Sequence, residues 1–210
     1  MRKIIRAFDT FLRWAYGVFE FCDDPACLFR LRVLRLSHPV ALHSGILPAG
    51  SLVLELHLWN EHVLPIPPGG PDVAWAVQMS RRLRTSLRAI ARQVQSDGRL
   101  AGVEAVGGVT VLVAPGDGAV GKDLLSWLGF VVQPYHSPLG RFGEFWENFY
   151  SWAIMWAYNA VSLRQRHLLQ LRRSEFWMSI ADFLRRYGAD EESQPRHEKS
   201  LQQELRDEHC

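Results

Sequence analysis

Between Phe29 and Leu36 the run FRLRVLRL sets aliphatic or aromatic residues against arginines with strand periodicity, so one face of this segment is apolar. Further on, Leu52, Leu54, Leu56 and Leu58 share one side of a second strand, and Val53, Glu55, His57 and Trp59 share the other. The leucine side is the predicted core side. Val40–Leu47 and Ser51–Trp59 flank Pro48-Ala49-Gly50. Proline second and glycine fourth suit a type I turn, so these two strands are expected to form a hairpin.

Helical spacing appears in four places. Ile4, Ile5, Phe8, Phe11, Leu12, Ala15, Tyr16 and Phe19 predict an N-terminal amphipathic helix that Asp23-Asp24-Pro25 ends. After a proline- and glycine-rich linker at 65–71, Asp72 is placed to cap a long helix. Its apolar stripe is Ala76, Met79, Leu83, Leu87, Ile90 and Val94, and Ser96-Asp97-Gly98 stops it. Val109–Val113 reads as a buried strand, Gly121–Leu128 as a helix ended by Gly129, and Phe130–Pro134 as a strand. That unit is just long enough for a parallel crossover. Phe142–Tyr187 is helical in pattern, with a break between Arg164 and Ser174. Ala189–Cys210 has almost no apolar residues and is expected to be a frayed or disordered tail.

The expected fold is therefore α+β: a small mixed β-sheet packed by the 72–95 helix and by aromatic-rich C-terminal helices. Residues 1–188 form one domain in this reading, with 189–210 as the tail. A chain of 210 residues can bury one good-sized core, and 48% hydrophobic with 22% charged residues is ordinary for a globular protein. The net charge of +2 is too small to indicate nucleic acid without a basic patch. Three cysteines, Cys22, Cys27 and Cys210, suit a reducing compartment better than a disulfide framework. Arg6, Asp9 and Arg13 interrupt any secretory apolar run near the start. A cytoplasmic protein is expected, with membrane-peripheral association as the variant.

Acid/base chemistry concentrates at the end of the second strand. Glu55 and His57 share a face, roughly 7 Å apart along the strand, and Glu61 and His62 follow the strand end. The catalytic candidates are His57, Glu61 and His62; Glu55, Trp59 and Asn60 are the neighbouring binding candidates. The order H-x-x-x-E-H on a strand and turn is not a helical zinc-hydrolase motif. The other reading is a structural polar corner, with Asn60 and Glu61 bonding the turn.

Arg81, Arg84, Arg88 and Arg92 lie opposite the apolar stripe of the long helix. They fit either a solvated face or a contact with phosphates or an anionic membrane. No aromatic residues interleave them, so a nucleic-acid partner is not expected. Cys22-x4-Cys27-x10-His38-x4-His43 approaches a zinc spacing, but Pro39 directly after His38 prevents the required helix. No metal and no cofactor are expected. Gly116–Gly121 with Lys122 misses a phosphate loop because Asp123 stands where Ser or Thr would be needed.

Asn148–Leu163 is uncharged and rich in aromatics, with Arg164, Arg166, Arg172 and Arg173 close behind. It suits a buried core helix, an interfacial helix or, least well, a spanning one. The 145–173 region is thus the place for any membrane contact.

The segments LPAGSLVLELHLWNE, GVTVLV, LLSWLGFVVQP and SPLGRF together resemble the YkoP-like domain family from about residue 29 to 187. The resemblance implies a bacterial, envelope-related context, because such domains accompany polysaccharide deacetylase modules in some bacterial proteins. The paired-Asp motif and the metal-binding H-x-x-x-H of those deacetylases are absent here. The leading expectation is a non-catalytic accessory or interaction protein that serves envelope polysaccharide metabolism through a protein partner or a saccharide. The alternative is a hydrolase or transferase using His57 with Glu61 or His62 as acid/base. Convergence of Glu55, His57, Glu61 and His62 in a concave pocket separates the enzyme from the binding module, which would leave them splayed beside an exposed aromatic patch.

Overall fold

Leu54 and Leu56 are buried at the centre of the core, with Leu52 and Leu58 packed on its margin, so the leucine side of β4 (Leu52–Leu58) faces inward as the alternation requires. The computed structural model describes residues 2–67, 69–70, 72–111, 118–137, 139–158 and 173–189. Helix α2 (Val73–Ser96) lays Leu83, Leu87, Ile90, Ala91 and Val94 into that core. Its cap is Asp72, whose carboxylate accepts the Trp75 backbone N–H at 2.7 Å, a contact worth about 1 kcal/mol. Ala76 and Val77, in the first turns, are exposed, and the stripe is fully buried only from Leu83 onward.

Helix α2 returns the chain to β5 (Ala105–Thr110), which pairs parallel to β4. The full sheet is mixed and five-stranded, in the order β1 (Phe29–Arg35), β4, β5, β7 (Ser174–Ser179), β6 (Val131–Pro134). Helices α3 (Gly118–Trp127) and α5 (Ile180–Tyr187) join α2 on the leucine side, contributing Leu124, Leu125, Phe183 and Tyr187 to its core. The α+β class with a long amphipathic helix on a mixed sheet stands.

Four element predictions need correction. Val40–Leu47 does not pair with β4. It folds on itself as β2 (Val40–Leu42) and β3 (Gly45–Leu47), because Gly45, at φ 131°, allows a tight turn at His43-Ser44. The partner of β4 is β1, antiparallel, with Arg30 opposite His57 and Arg32 opposite Glu55. Strand β5 begins at Ala105 and not at Val109. Gly107 and Gly108 hide it from any propensity scale, but they pack where a side chain would not fit; 112–113 lie outside the described residues.

The stretch read as helical from Phe142 to Tyr187 contains a strand. Helix α4 (Gly140–Tyr158) comes first, then β7, then α5. Strand β7 inserts between β5 and β6 and is antiparallel to both, so the predicted crossover joins strands that are parallel but not neighbours. Its sequence SEFWMS does not alternate, because both faces of β7 are covered: Phe176 and Met178 enter the main core and Trp177 the outer cluster, so periodicity gives no strand signal against the helical pattern around it. Helix α1 (Arg2–Ala15) stops well before Asp23, with Gly17 at φ 68° just beyond its end. The predicted tail from residue 190 on lies outside the described residues.

The C-terminal helices divide their work. Helix α5 packs into the core, whereas α4 lies against α1, where the Tyr150 hydroxyl donates to Asp9 Oδ1 at 2.6 Å. On the opposite side of the sheet from α2, a smaller cluster joins Val53, Ala105 and Trp177 to Leu36, Val40 and Leu47, so the β2–β3 hairpin covers one end of the outer face.

Candidate functional site

The outer face carries the chemistry. Val53, Glu55 and His57 point away from the leucine core, and β1 and β5 decide what surrounds them. His57 Nε2 lies 2.9 Å from Glu55 Oε2, and Arg32 Nη1 is 3.5 Å from the same oxygen. The long carboxylate and imidazole arms close the strand spacing between alternate residues. Arg32 in turn lies over the Tyr16 ring, its guanidinium carbon 5.0 Å from the centroid. The Glu55 side chain keeps 15% of its exposure and that of His57 37%, so the imidazole meets solvent while the carboxylate behind it is sheltered. Burial opposes ionisation of Glu55, but the His57 hydrogen bond and charge, with Arg32, outweigh it and hold the carboxyl below the usual range. A carboxylate that accepts from Nε2 fixes the proton of the neutral ring there and frees Nδ1.

A second carboxylate–imidazole pair sits on the same face. In register, Glu55 lies beside Gly107 of β5, and Gly107 beside Trp177 of β7. Two residues before Trp177, Glu175 is 3.1 Å from His38 Nε2 through each carboxylate oxygen and also accepts from Gln133 Nε2 at 3.0 Å and Trp177 Nε1 at 3.0 Å. Two strand spacings of about 4.8 Å each separate the strands of the two pairs. The side chain of Glu175 is only 5% exposed and fully engaged, which makes it the pin that fastens the connection after β1 to the sheet.

The remaining catalytic candidates do not converge on His57. Glu61 Oε2 pairs with Arg30 Nη1 at 3.4 Å, and Arg30 Nε also binds Glu20 at 2.9 Å. The Arg30 guanidinium lies over Trp59, 4.2 Å from the ring centroid, and His62 stacks on Trp59 with centroids 3.8 Å apart. The His62 Nδ1 bonds the Cys27 carbonyl at 2.8 Å, while its own carbonyl accepts from Arg82. Asn60 Nδ2 reaches back to the Leu58 carbonyl, at 3.5 Å. Trp59, Asn60, Glu61 and His62 thus form the polar corner that closes β4, with Trp59 as a buried platform.

The arginine stripe is distributed as a helix surface. Arg81, Arg84 and Arg92 are exposed, Arg88 is half-buried, and Arg84 lies over the Trp127 ring at 4.1 Å. Of the zinc-spaced residues, Cys27 is buried against Cys22, His38 serves Glu175, and His43 lines a separate open concavity of about 520 Å³ with Ser126, Asp182, Arg185 and Arg186. Three of the polar groups there, Asp182, Arg185 and Arg186, are already used. Ser179 caps α5 through the Asp182 N–H and carboxylate, Arg185 pairs with Asp182, and Arg186 donates to the Trp127 carbonyl. Among the described residues no group of three or more His, Cys, Asp or Glu side chains is arranged to hold a metal ion. Of the glycine-rich run Gly116–Gly121, residues 116 and 117 lie outside the described residues, and 118–121 open α3.

Helix α4 is exposed along its first half, at Phe142, Phe145, Trp146 and Phe149, whereas the part of Asn148–Leu163 that is described is mostly half-buried, with Ile154 and Ala157 buried; 159–163 lie outside the described residues. The helix is anchored by Glu147, which accepts from Ser137 at 2.8 Å and Tyr135 at 3.3 Å and lies 3.4 Å from Arg173 Nε. Burial, with the Glu147 carboxylate beside it, pushes the Tyr135 phenol up to about 12. No helix among the described residues is long and apolar enough to cross a membrane.

Sequence reasoning missed Arg32 as the partner of Glu55, and missed the Glu175–His38 pair altogether. The alternation FRLRVLRL already put Arg30 and Arg32 on one polar face. The assumed hairpin with Val40–Leu47 gave β4 the wrong neighbour, and the helical reading of 142–187 removed Glu175 from the sheet.

No curated protein and no solved structure matches the chain. The family model of the YkoP domain matches residues 1–187, which takes in α1 as well as the whole sheet. The chain belongs to the YkoP domain family.

Proposed function

We propose that this YkoP-domain protein is a non-catalytic accessory protein that acts by binding, in the service of cell-envelope polysaccharide metabolism. One observation carries the reading: the four acid/base candidates are splayed. Glu55 and His57 hold each other on the outer face, while Glu61 and His62 are spent on Arg30 and on Trp59 and the Cys27 carbonyl. The rings left exposed on α4 are the mark of a protein that works through contact surfaces. The partner is an envelope saccharide or a protein that handles one, met in the cytoplasm or at the membrane surface.

Co-sedimentation of the purified chain with insoluble cell-wall polysaccharide, with analysis of released sugars and acids, tests this. The protein is expected to pellet with the polysaccharide, to release nothing, and to pellet equally as the Glu55→Gln/His57→Ala double variant. A released product that disappears in His57→Ala overturns it. Absence of pelleting removes the saccharide as the direct partner.

The 2.9 Å contact between His57 and Glu55 favours one second reading, a hydrolase or transferase with His57 as general base. In that reading Glu55, in place of Glu61 or His62, orients the ring.

A further inference from the structure

The aromatic surface of α4 has a geometry of its own. Phe142, Phe145, Trp146 and Phe149 recur at the spacing that aligns one helical face, and all four are exposed. They touch ring to ring: Trp146 lies 6.2 Å from Phe142, 5.5 Å from Phe145 and 5.9 Å from Phe149, centroid to centroid. Helix α1, packed on α4, exposes Phe11 and Trp14, 6.2 Å apart, with Trp14 78% exposed. A contiguous ring cluster such as that of α4, with further exposed rings on the helix packed beside it, marks a contact site on a globular protein.

Charge identifies the occupant. Helix α1 carries Arg2, Lys3, Arg6 and Arg13 against the single carboxylate Asp9, an excess of 4 − 1 = 3 positive charges, while the whole chain carries only +2. Helix α4 adds Arg141, Glu144 and Glu147, 1 − 2 = −1, so the two helices together carry 3 − 1 = 2 positive charges. Glu147 is turned toward Tyr135, Ser137 and Arg173. A strongly amphipathic basic helix with exposed aromatics matches an interfacial membrane helix, its rings at the acyl boundary and its cations among lipid phosphates. A second copy would bring two such basic helices together, which like-charge repulsion disfavours.

We propose that the joint α1–α4 face docks on an anionic bilayer surface without crossing it. This goes beyond the accessory reading and stands whether or not His57 is catalytic.

Flotation of the full chain with phosphatidylcholine vesicles, with and without 30% phosphatidylglycerol, tests it. Recovery with the anionic vesicles is expected, falling sharply in 0.5 M NaCl and with phosphatidylcholine alone. The Phe142→Ser/Trp146→Ser variant changes only exposed side chains. It should keep the wild-type melting profile and bind anionic vesicles at least about tenfold more weakly, since each ring contributes on the order of one decade. No flotation with anionic vesicles overturns the proposal, as does equal recovery with neutral vesicles. So does undiminished binding by the folded variant. A concentration-dependent dimer that the variant abolishes, with no vesicle binding, reassigns the face to self-association and overturns it too.

Discussion

Glu55 and His57, alternate residues on β4, are joined by a 2.9 Å contact between a sheltered carboxylate and a half-exposed imidazole, with Arg32 of the neighbouring strand 3.5 Å from the same oxygen. Coupling across β1 and β4 in this way ties the register of the edge strand to one ionisation state. The folded-state value for Glu55 is depressed, so its ionisation contributes stability above the unfolded value of about 4.3 and loses it as pH falls below that.

Glu55→Gln should therefore lower the melting temperature at neutral pH and flatten the acid limb of the curve. The gap between the two proteins should narrow as pH drops below about 4.3. Thermal melts from pH 7 to pH 3 check this; parallel curves over the whole range would remove the coupling.

Gly107 lies between Glu55 and Trp177 in the sheet, and a β-carbon there would stand 2.0 Å from the Phe176 carbonyl oxygen and 2.5 Å from the Trp177 ring. One of those neighbours is backbone, so the strand itself has to move. Gly107→Ala should cost about 3 kcal/mol or more by urea denaturation. The control is Gly102→Ala, whose nearest contact is a Leu52 methyl at an ordinary 3.6 Å, and it should cost under about 1 kcal/mol. Equal midpoints for the two variants would show that Trp177 is not seated as described.

Gly107 and its neighbour Gly108 explain what the sequence could and could not disclose. The leucine alternation of β4 and the stripe of α2 are strong periodic signals, and both elements stand where the pattern put them. Strand β5 has almost no side chains in its middle, so its reason for being a strand lies in Trp177, about 70 residues away. Pairing partners are non-local in the same way. Nothing in LPAGSLVLELHL says that β4 prefers Arg30 and Arg32 to Val40–Leu47, yet that choice builds the outer face. His57 could be placed on an exposed polar side from parity alone. Its separation from Glu61 and His62 depends on Trp59 and Arg30, which no local spacing encodes.

Arg30 is nearly buried, yet its partners Glu20 and Glu61 keep half and 37% of their side-chain exposure. Removing the guanidinium leaves those carboxylates free to hydrate, so the loss is mainly the stack on Trp59 and the packed stem. Arg30→Ala should cost about 2 kcal/mol, below the 3–5 kcal/mol of a fully buried pair, and Glu20→Gln under about 1 kcal/mol. Urea midpoints of the two variants decide the matter, and a larger loss for Glu20→Gln than for Arg30→Ala would contradict it.

Cys27 and Cys22 meet across the turn at Asp24, where Cys27 N–H donates to the Asp24 carbonyl at 2.8 Å. Burial, with Cys22 as its neighbour, pushes the Cys27 thiol up to about 12. At pH 8 its thiolate fraction is then on the order of one in ten thousand, and the thiolate is the nucleophile. Only 3% of Cys27 is exposed, whereas Cys22 is half-buried and open to reagents. Iodoacetamide at pH 8 should therefore label Cys22 in the native protein and leave Cys27 unmodified until denaturant is added, as peptide mapping by mass spectrometry would show. The protection should also report on β1 and α2, because the Leu28 N–H next door donates to Ser86 Oγ at 2.9 Å and the Cys27 carbonyl holds His62. Loss of Ser86 should expose Cys27 to the reagent without global unfolding. Labelling of native wild-type Cys27 at the rate of Cys22 would mean that this corner opens freely, and the packing that separates His62 from His57 would have to be abandoned with it.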